Sequence, residues 1–164
     1  MLTGMMAVVV VGVIALGVVI HLLWSPSAHY IDRGEAYYRQ GDYDQAIANA
    51  SEAIRLDPKS ARAYGNRGEA YDQKGNYDQA IADASEAIRL NPKSARAYGN
   101  RGAAYYQKGN YHQAIQDYTD VLALNPQWAY LYRSRAIAYE QKGDKVQAEA
   151  DFQEAKRLES LLSH

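Results

Sequence analysis

Apolar and small side chains recur along most of the chain at the spacing of amphipathic helices. After Ala61, the residues Tyr64, Gly68 and Tyr71 lie at i, i+4 and i+7, which places them on one stripe of a helix. A second stripe with the same period comprises Tyr77, Ala80, Ile81, Ala84, Ala87 and Ile88. The pattern therefore predicts two consecutive helices, each with one apolar face.

The residues between these stripes predict where each helix begins and ends. Gly75 suits the left-handed end of a helix, and Asn76 suits the cap of the next one. Asn91 precedes Pro92 and is expected to end the second helix. Ser94 is expected to cap the helix that follows, as Ser60 does one unit earlier. The caps equivalent to Asn76 are Asp42, Asn110 and Asp144. These signals indicate a helix hairpin of about 34 residues.

The hairpin is repeated along the chain. Residues 61–94 return as residues 95–128, are already visible as residues 27–60, and recur in a more diverged form over residues 129–162. Gly68 and Ala80 are small enough to let the two helices of a hairpin approach closely. The equivalent pairs are Gly34 with Ala46, Gly102 with Ala114, and Ala136 with Ala148. One hairpin cannot bury both faces, whereas stacked hairpins can, so the period predicts a repeat array.

A long apolar stretch precedes the repeats. Residues Met5 to Trp24 carry no formal charge, and the first charged side chain is Asp32. A helix of about twenty residues spans roughly 30 Å, the thickness of the hydrocarbon core of a bilayer. We therefore predict a transmembrane anchor and short linker over residues 1–26 and a repeat domain over residues 27–164. A cleaved signal peptide is the alternative, but no Lys or Arg precedes the apolar run.

The charges near this stretch predict its orientation. Arg33 and Arg39 lie within twenty residues after it. Positive charge tends to stay on the cytoplasmic side of a membrane. The sequence therefore favours a single-pass membrane protein whose repeats are cytoplasmic, with the lipid bilayer contacted through the N-terminal helix.

Composition excludes several classes of function. The net charge of −1 gives no electrostatic reason to bind nucleic acid. The chain has no cysteine, which excludes disulfides and thiolate metal sites. The four histidines are scattered without the spacing of metal ligands, and they are His21, His29, His112 and His164. We therefore predict a protein that is not an enzyme, with no catalytic residues, no metal site and no cofactor.

The repeated positions resemble those of the tetratricopeptide repeat (TPR) family. The residues that carry this resemblance in the second unit are Tyr64, Gly68, Tyr71, Ala80, Ala84, Ala87 and Pro92. The resemblance implies an all-α fold, a right-handed α-solenoid of four helix-turn-helix repeats that follows the single transmembrane helix. Where the family often has leucine, this chain has Arg33, Arg67, Arg101 and Arg135. We expect these arginine stems to lie along an apolar surface with their heads in water.

The resemblance also implies a function in protein–protein interaction. In this family the first helices of the units line a concave groove that holds a segment of a partner. The groove residues expected here are Tyr38, Arg62, Asn66, Glu69, Arg96, Asn100, Tyr106, Tyr130 and Arg133. We predict a membrane-anchored scaffold or adaptor with protein or peptide partners. The alternative is a structural or assembly subunit of a larger membrane complex, in contact with integral membrane subunits. The last helix either is polar enough to end the stack or meets another protein through its apolar edge near Leu161.

One specialised use of such a groove is not expected. Members that receive chaperone tails hold a terminal carboxylate with a set of Lys, Asn and Arg side chains. Asn66 matches the central asparagine of that set, and Arg96 replaces one lysine. Ile31, Glu35 and Asn100 stand where the other groups would be. We therefore predict that this chain does not bind chaperone C-termini.

Overall fold

The computed structural model describes residues 25–162, which form eight α-helices joined by short turns. They are α1 (Pro26–Arg39), α2 (Tyr43–Leu56), α3 (Ala61–Gln73), α4 (Tyr77–Leu90), α5 (Ala95–Gln107), α6 (Tyr111–Leu124), α7 (Ala129–Lys142) and α8 (Lys145–Leu162). Each helix packs against the next one in the chain, and α3 also contacts α1 and α5. The chain is therefore an all-helical solenoid of stacked hairpins, in which the first helices of neighbouring units share one face.

Most of the predicted helix ends are confirmed. The hydroxyls of Ser60 and Ser94 accept hydrogen bonds at 3.3 Å from the backbone three residues later. Gly75 has a φ of +75°, as expected for a left-handed turn between two helices. Asn76 and Asn110 also occupy the predicted cap positions, but neither makes a side-chain cap bond. Their carboxylate equivalent does cap its helix, since Asp42 accepts from the Gln45 amide at 3.1 Å.

The small residues close the hairpins as the sequence predicts. A methyl group added at Gly68 would lie 3.3 Å from the carbonyl oxygen of Ala80 and 3.3 Å from Cβ of Asp83. Ala80 is itself buried. Helices α3 and α4 therefore approach so closely that a side chain at position 68 would require its neighbours to shift.

The repeated arginines differ from the expectation that their heads lie in water. Arg67 donates two hydrogen bonds to the carboxylate of Asp83, both at 2.8 Å, and a third at 3.2 Å to Ser51 of the preceding unit. Its guanidinium also lies over the ring of Tyr64, 5.7 Å from the centroid. The same arrangement recurs as Arg101 with Asp117 and Ser85, and as Arg135 with Asp151 and Thr119. These aspartates are buried, so each arginine ties two helices of one unit to the unit before it.

The first unit lacks this ion pair. The residue that corresponds to Asp83 is Asn49, whose amide donates to the backbone carbonyl of Gln45 at 2.7 Å. Arg33 instead lies over Tyr37, 5.8 Å from the ring centroid. The arginine expectation therefore fails in three units for one reason: a buried carboxylate faces the guanidinium.

The predicted membrane anchor lies in residues 1–24, outside the described residues. Within residues 25–162, no helix combines the length and the apolar character needed to cross a bilayer. Helix α1 begins at Pro26, where the hydroxyl of Ser25 accepts from the Ala28 amide at 3.3 Å. The first repeat helix therefore starts one residue before the predicted unit boundary.

Candidate functional site

Three adjoining cavities lie along the face shared by α1, α3, α5 and α7, and we call this face the groove. The first has a volume of about 230 Å³ and lies between Glu35, Tyr38 and Asn66. The second, of about 520 Å³, lies between α5 and α7. The third, of about 120 Å³, lies beside Tyr38 and Asp72. Glu69 lines all three cavities, so they form one continuous surface across the units.

Charged side chains bridge the first two units in the groove. Arg62 on α3 donates to Glu35 at 3.0 Å and to Asp32 at 3.0 Å, both on α1. The amide nitrogen of Asn66 donates to Glu35 at 3.0 Å. The hydrogen bond from Arg62 lowers the pKa of Glu35, which keeps that carboxylate ionised.

The same bridge recurs between the second and third units. Arg96 on α5 donates through Nε to Glu69 at 2.7 Å and makes a second bond to the other carboxylate oxygen. Asn100 donates to the same carboxylate at 2.8 Å. A guanidinium held by two parallel bonds has a fixed orientation. Glu35 with Arg62 and Asn66, and Glu69 with Arg96 and Asn100, therefore form a polar ladder of two steps.

The ladder ends before the fourth unit. The next equivalents of its carboxylate, arginine and asparagine are Ala103, Tyr130 and Ser134. The ring of Tyr130 stacks on Trp128 with centroids 5.9 Å apart and an interplanar angle of 26°. Tyr130 is 59% exposed and Trp128 is 37% exposed. Together with Leu131 they line the second cavity, so this end of the groove is aromatic instead of charged.

The structure brings together most of the residues predicted for the groove. Those that line the three cavities are Tyr38, Asn66, Glu69, Arg96, Asn100 and Tyr130. Arg62 lies beside them in the ladder. Tyr106 instead packs against Tyr111, with centroids 5.5 Å apart, and Arg133 is paired with Glu159 at 2.6 Å. Ile31 is buried against Ala53 and Ala63, and so contributes to the core.

Several groove residues were missed by the sequence reasoning. Among them, Asp72 lines the third cavity and Trp128 lines the second. Trp128 could have been found because it is a tryptophan at a position where the earlier units have serine, Ser60 and Ser94. No repeat signal marks Asp72, because the equivalent residues are Tyr38 and Tyr106 in the neighbouring units. Within the described part of the chain, no group of three or more His, Asp and Glu side chains could hold a metal ion.

Sequence models of the tetratricopeptide repeat match residues 31–95 and 95–127, which together span more than half of the chain. The chain belongs to the tetratricopeptide repeat family. Members of this family are built from stacked helix hairpins. The solenoid described above, with its first helices on one shared face, has this architecture. No curated protein matched this TPR chain.

Several solved structures resemble the chain over most of its length. A crystal structure of MamA is 28% identical, with a TM-score of 0.80, and the match covers 88% of this chain and 85% of MamA. The first TPR domain of human RPAP3 is 28% identical, with a TM-score of 0.70 and coverage of 73% and 94%. The first TPR of Spaghetti (RPAP3), bound to the HSP90 peptide SRMEEVD, is 27% identical, with a TM-score of 0.69 and coverage of 71% and 95%.

Proposed function

We propose that this TPR protein is a scaffold that holds a segment of a partner protein in the groove. The observation that carries the proposal is the continuity of the three cavities, which are lined by side chains from different units. A surface of this kind suits an elongated segment better than a compact small molecule. TPR domains bind protein or peptide partners, as the Spaghetti structure with its HSP90 peptide illustrates. The ladder contributes by fixing the groove before a partner arrives.

The partner is not expected to be an acidic chaperone tail. Asn66 already donates to Glu35, and Arg96 is already bound to Glu69. A partner carboxylate would therefore have to displace an internal carboxylate from each donor. Titration of the full chain with the peptide SRMEEVD tests this expectation. Submicromolar binding that is abolished by Asn66→Ala would contradict it.

The scaffold is further proposed to be held at a membrane by residues Met5 to Trp24. The support is the length and apolar composition of this stretch, which suit a bilayer span. Alkaline carbonate extraction of host membranes tests this step. The full chain should stay in the pellet, and the double variant Val9→Lys and Ile14→Lys should be released. Release of the unaltered chain would contradict the anchor.

Exposed apolar side chains favour a second candidate function, a fixed subunit of a larger membrane complex. Val146 and Leu161 on α8 are 79% and 63% exposed, away from the residues that line the groove. They are fifteen residues apart on the same helix, so a subunit that covers both would have to lie along α8. In that case α8, instead of the groove, would carry the main interface.

Site-specific photo-cross-linking in native membranes separates the two candidates. A cross-linking side chain is placed at Tyr130 in the groove, at Val146 on α8, and at His112 as an exposed control on α6. A partner captured from position 130 and absent from position 112 supports the groove. Capture from position 146 alone, with co-migration in a large assembly, supports the fixed subunit and overturns the groove proposal.

A further inference from the structure

Two buried side-chain oxygens in residues 25–162 have no hydrogen-bond donor. They are Oδ1 of Asn66 and Oδ1 of Asp72. Both belong to α3, six residues apart, and both residues line cavities of the groove. Buried polar atoms in proteins are nearly always hydrogen-bonded, so these two acceptors in one groove are positions at which a bound group can donate.

The orientation of the Asn66 amide is fixed by its neighbour. Its Nδ2 donates to Glu35 at 3.0 Å. A carboxylate only accepts hydrogen bonds, so the reversed amide would place two acceptors face to face. Oδ1 therefore remains an acceptor at the first cavity, on a residue that is only 8% exposed. A group that enters this cavity must donate a hydrogen bond to satisfy it.

Asp72 carries a charge without a counter-ion. One turn earlier on the same helix, the charge of Glu69 is balanced by Arg96. Asp72 makes no salt bridge of this kind, and burial together with the nearby Glu69 raises its pKa. Both effects disfavour the ionised carboxylate, and a cation in the third cavity would relieve both.

The arginines of the ladder are already used, since Arg62 is bound to Glu35 and Asp32 and Arg96 is bound to Glu69. Arg39 lines the first cavity, where it donates to the backbone carbonyl of Glu35 at 3.2 Å, and it does not line the third cavity. In the third cavity the vacant group is therefore an acceptor, and the unbalanced charge is negative. Charge complementarity favours a partner segment that is rich in donors and positively charged.

We infer that the partner segment presents an arginine side chain to Asp72 in the third cavity, donates a backbone N–H to Asn66, and places an apolar side chain against Trp128 and Tyr130. Arginine suits this position because its planar head offers several donors and lies well against the ring of Tyr38. The second and third cavities share Asn100 and Ala103, so the two side chains would occupy neighbouring spaces. The inference rests on the proposed groove function and specifies its ligand.

Short peptides with blocked ends test the inference on the full chain in detergent micelles. The probe is acetyl-Gly-Ser-Arg-Gly-Phe-Ser-Gly-amide, measured by isothermal titration calorimetry. Its matched controls replace arginine by citrulline, which has the same shape without the charge, or by glutamate. The arginine peptide should bind at least tenfold more tightly than either control, and replacing phenylalanine by glycine should also weaken binding several-fold.

Two protein variants assign the preference to Asp72. Asp72→Asn should reduce the ratio of the affinities for the arginine and citrulline peptides to near one without lowering the melting temperature. Asp44→Asn removes a carboxylate that is 79% exposed and does not line the three cavities, and it should leave the ratio unchanged. The inference is overturned if the arginine and citrulline peptides bind the unaltered chain equally. It is also overturned if Asp72→Asn leaves the ratio of their affinities unchanged.

The outcomes also separate this inference from the function on which it rests. A partner captured from Tyr130 by cross-linking, without any arginine preference, overturns the assigned ligand and keeps the groove as the interaction surface. No capture from Tyr130 and no binding of any peptide in the series overturns both. A partner captured from Tyr130, together with an arginine preference that Asp72→Asn abolishes, supports both the groove function and the assigned ligand.

Discussion

The two ends of the solenoid hold their neighbouring units together by different means. Between the first and second units, the buried cluster consists of Ile31, Ala53 and Ala63, and the groove carries an ion-pair step. Between the third and fourth units, the corresponding cluster is larger and contains Tyr118, Val121, Leu122 and Leu131. Here the groove has no ion-pair step. Polar bridging is thus strongest where the apolar core is small, and it is replaced where large side chains fill the interface.

The outer edge of the array shows the same change. Lys74 pairs with Asp44 of the preceding unit, and Lys108 pairs with Asp78. At the next step the aspartate position holds His112, and Lys142 pairs within its own unit with Asp144 at 3.6 Å. Exposed ion pairs contribute little stability. We therefore expect buried apolar contacts to determine the stability of both ends, with the larger contribution at the fourth unit.

Removal of the aromatic core residue should have the largest effect. Tyr118 is buried, whereas the equivalent positions in the earlier units are held by Ala50 and Ala84. Tyr118→Ala should lower the free energy of unfolding by about 3 to 5 kcal/mol, because it leaves a cavity under α7. Thermal denaturation followed by circular dichroism measures this loss. The matched control is Tyr130→Ala, whose 59% exposed ring should cost under about 1 kcal/mol. Equal losses would refute the claim that the buried core, and not the exposed aromatic pair, stabilises this end of the solenoid.

The arginines that pair with buried aspartates should show the next largest effect. Arg101→Leu leaves the carboxylate of Asp117 buried without its cation, and breaking such a pair costs about 2 to 4 kcal/mol when one partner is partly exposed. Arg33→Leu removes the equivalent arginine from the unit that has Asn49 instead, and should cost less than about 1 kcal/mol. Both losses are measured by chemical denaturation.

A second substitution checks the cause. Adding Asp117→Asn to Arg101→Leu should recover most of the loss, because the buried charge is gone. If the double variant is as unstable as Arg101→Leu alone, packing of the arginine stem and not its charge stabilises the unit.

The sequence predicts those structural features that are determined by the residues of a single repeat unit. The helix hairpins, the Ser60 cap and the Gly68 contact repeat with the 34-residue period, and each is confirmed. The pairing of Arg67 with Asp83 was also accessible, because both residues recur with this period, but the arginine was interpreted from its stem alone. Its bond to Ser51 depends on the stacking of two units, which the period does not specify.

The sequence predicts which residues lie on the groove face, but not which of them form hydrogen bonds or ion pairs with one another. The expected residues Asn66, Glu69 and Arg96 do meet, because they lie on the first helices of adjacent units. Their mutual pairing depends on the rotation between units, which decides whether an arginine reaches a neighbouring carboxylate or water. Asp72 could not be found from periodicity, because its burial comes from adjacent units and its equivalents have different chemistry.

Transfer of the ladder into the C-terminal step should change stability little. The triple variant Ala103→Glu, Tyr130→Arg and Ser134→Asn copies the ladder onto α5 and α7. The free energy of unfolding should stay within about 1 kcal/mol of that of the unaltered chain, because exposed ion pairs contribute little stability. The phenylalanine-containing peptide should bind more weakly, because the ring that stacks on Trp128 is lost. A loss above about 2 kcal/mol would show that Tyr130 supports the fold as well as the groove.

The smallest expected effect is a gain in stability from the unpaired carboxylate. The pKa of Asp72 in the folded chain is raised, chiefly by burial. The folded state therefore holds a proton on this group more tightly than the unfolded state, and ionisation of Asp72 destabilises the fold. Asp72→Asn removes this penalty and should stabilise the chain at pH 7 by about a few tenths of a kcal/mol, since the group is partly exposed to solvent.

The pH dependence of that gain identifies its origin. The advantage of Asp72→Asn over the unaltered chain should shrink as the pH falls through the raised pKa of Asp72 towards the unfolded value of about 3.9, because both proteins are then uncharged at this position. Melting temperatures of the two proteins between pH 7 and pH 4 measure the difference. Asp44→Asn serves as the control, since it removes an exposed carboxylate paired with Lys74 and should bring no gain at pH 7. A gain independent of pH would mean that Asp72 is not penalised by its charge, and the groove would then hold no unbalanced acceptor for a cationic partner to neutralise.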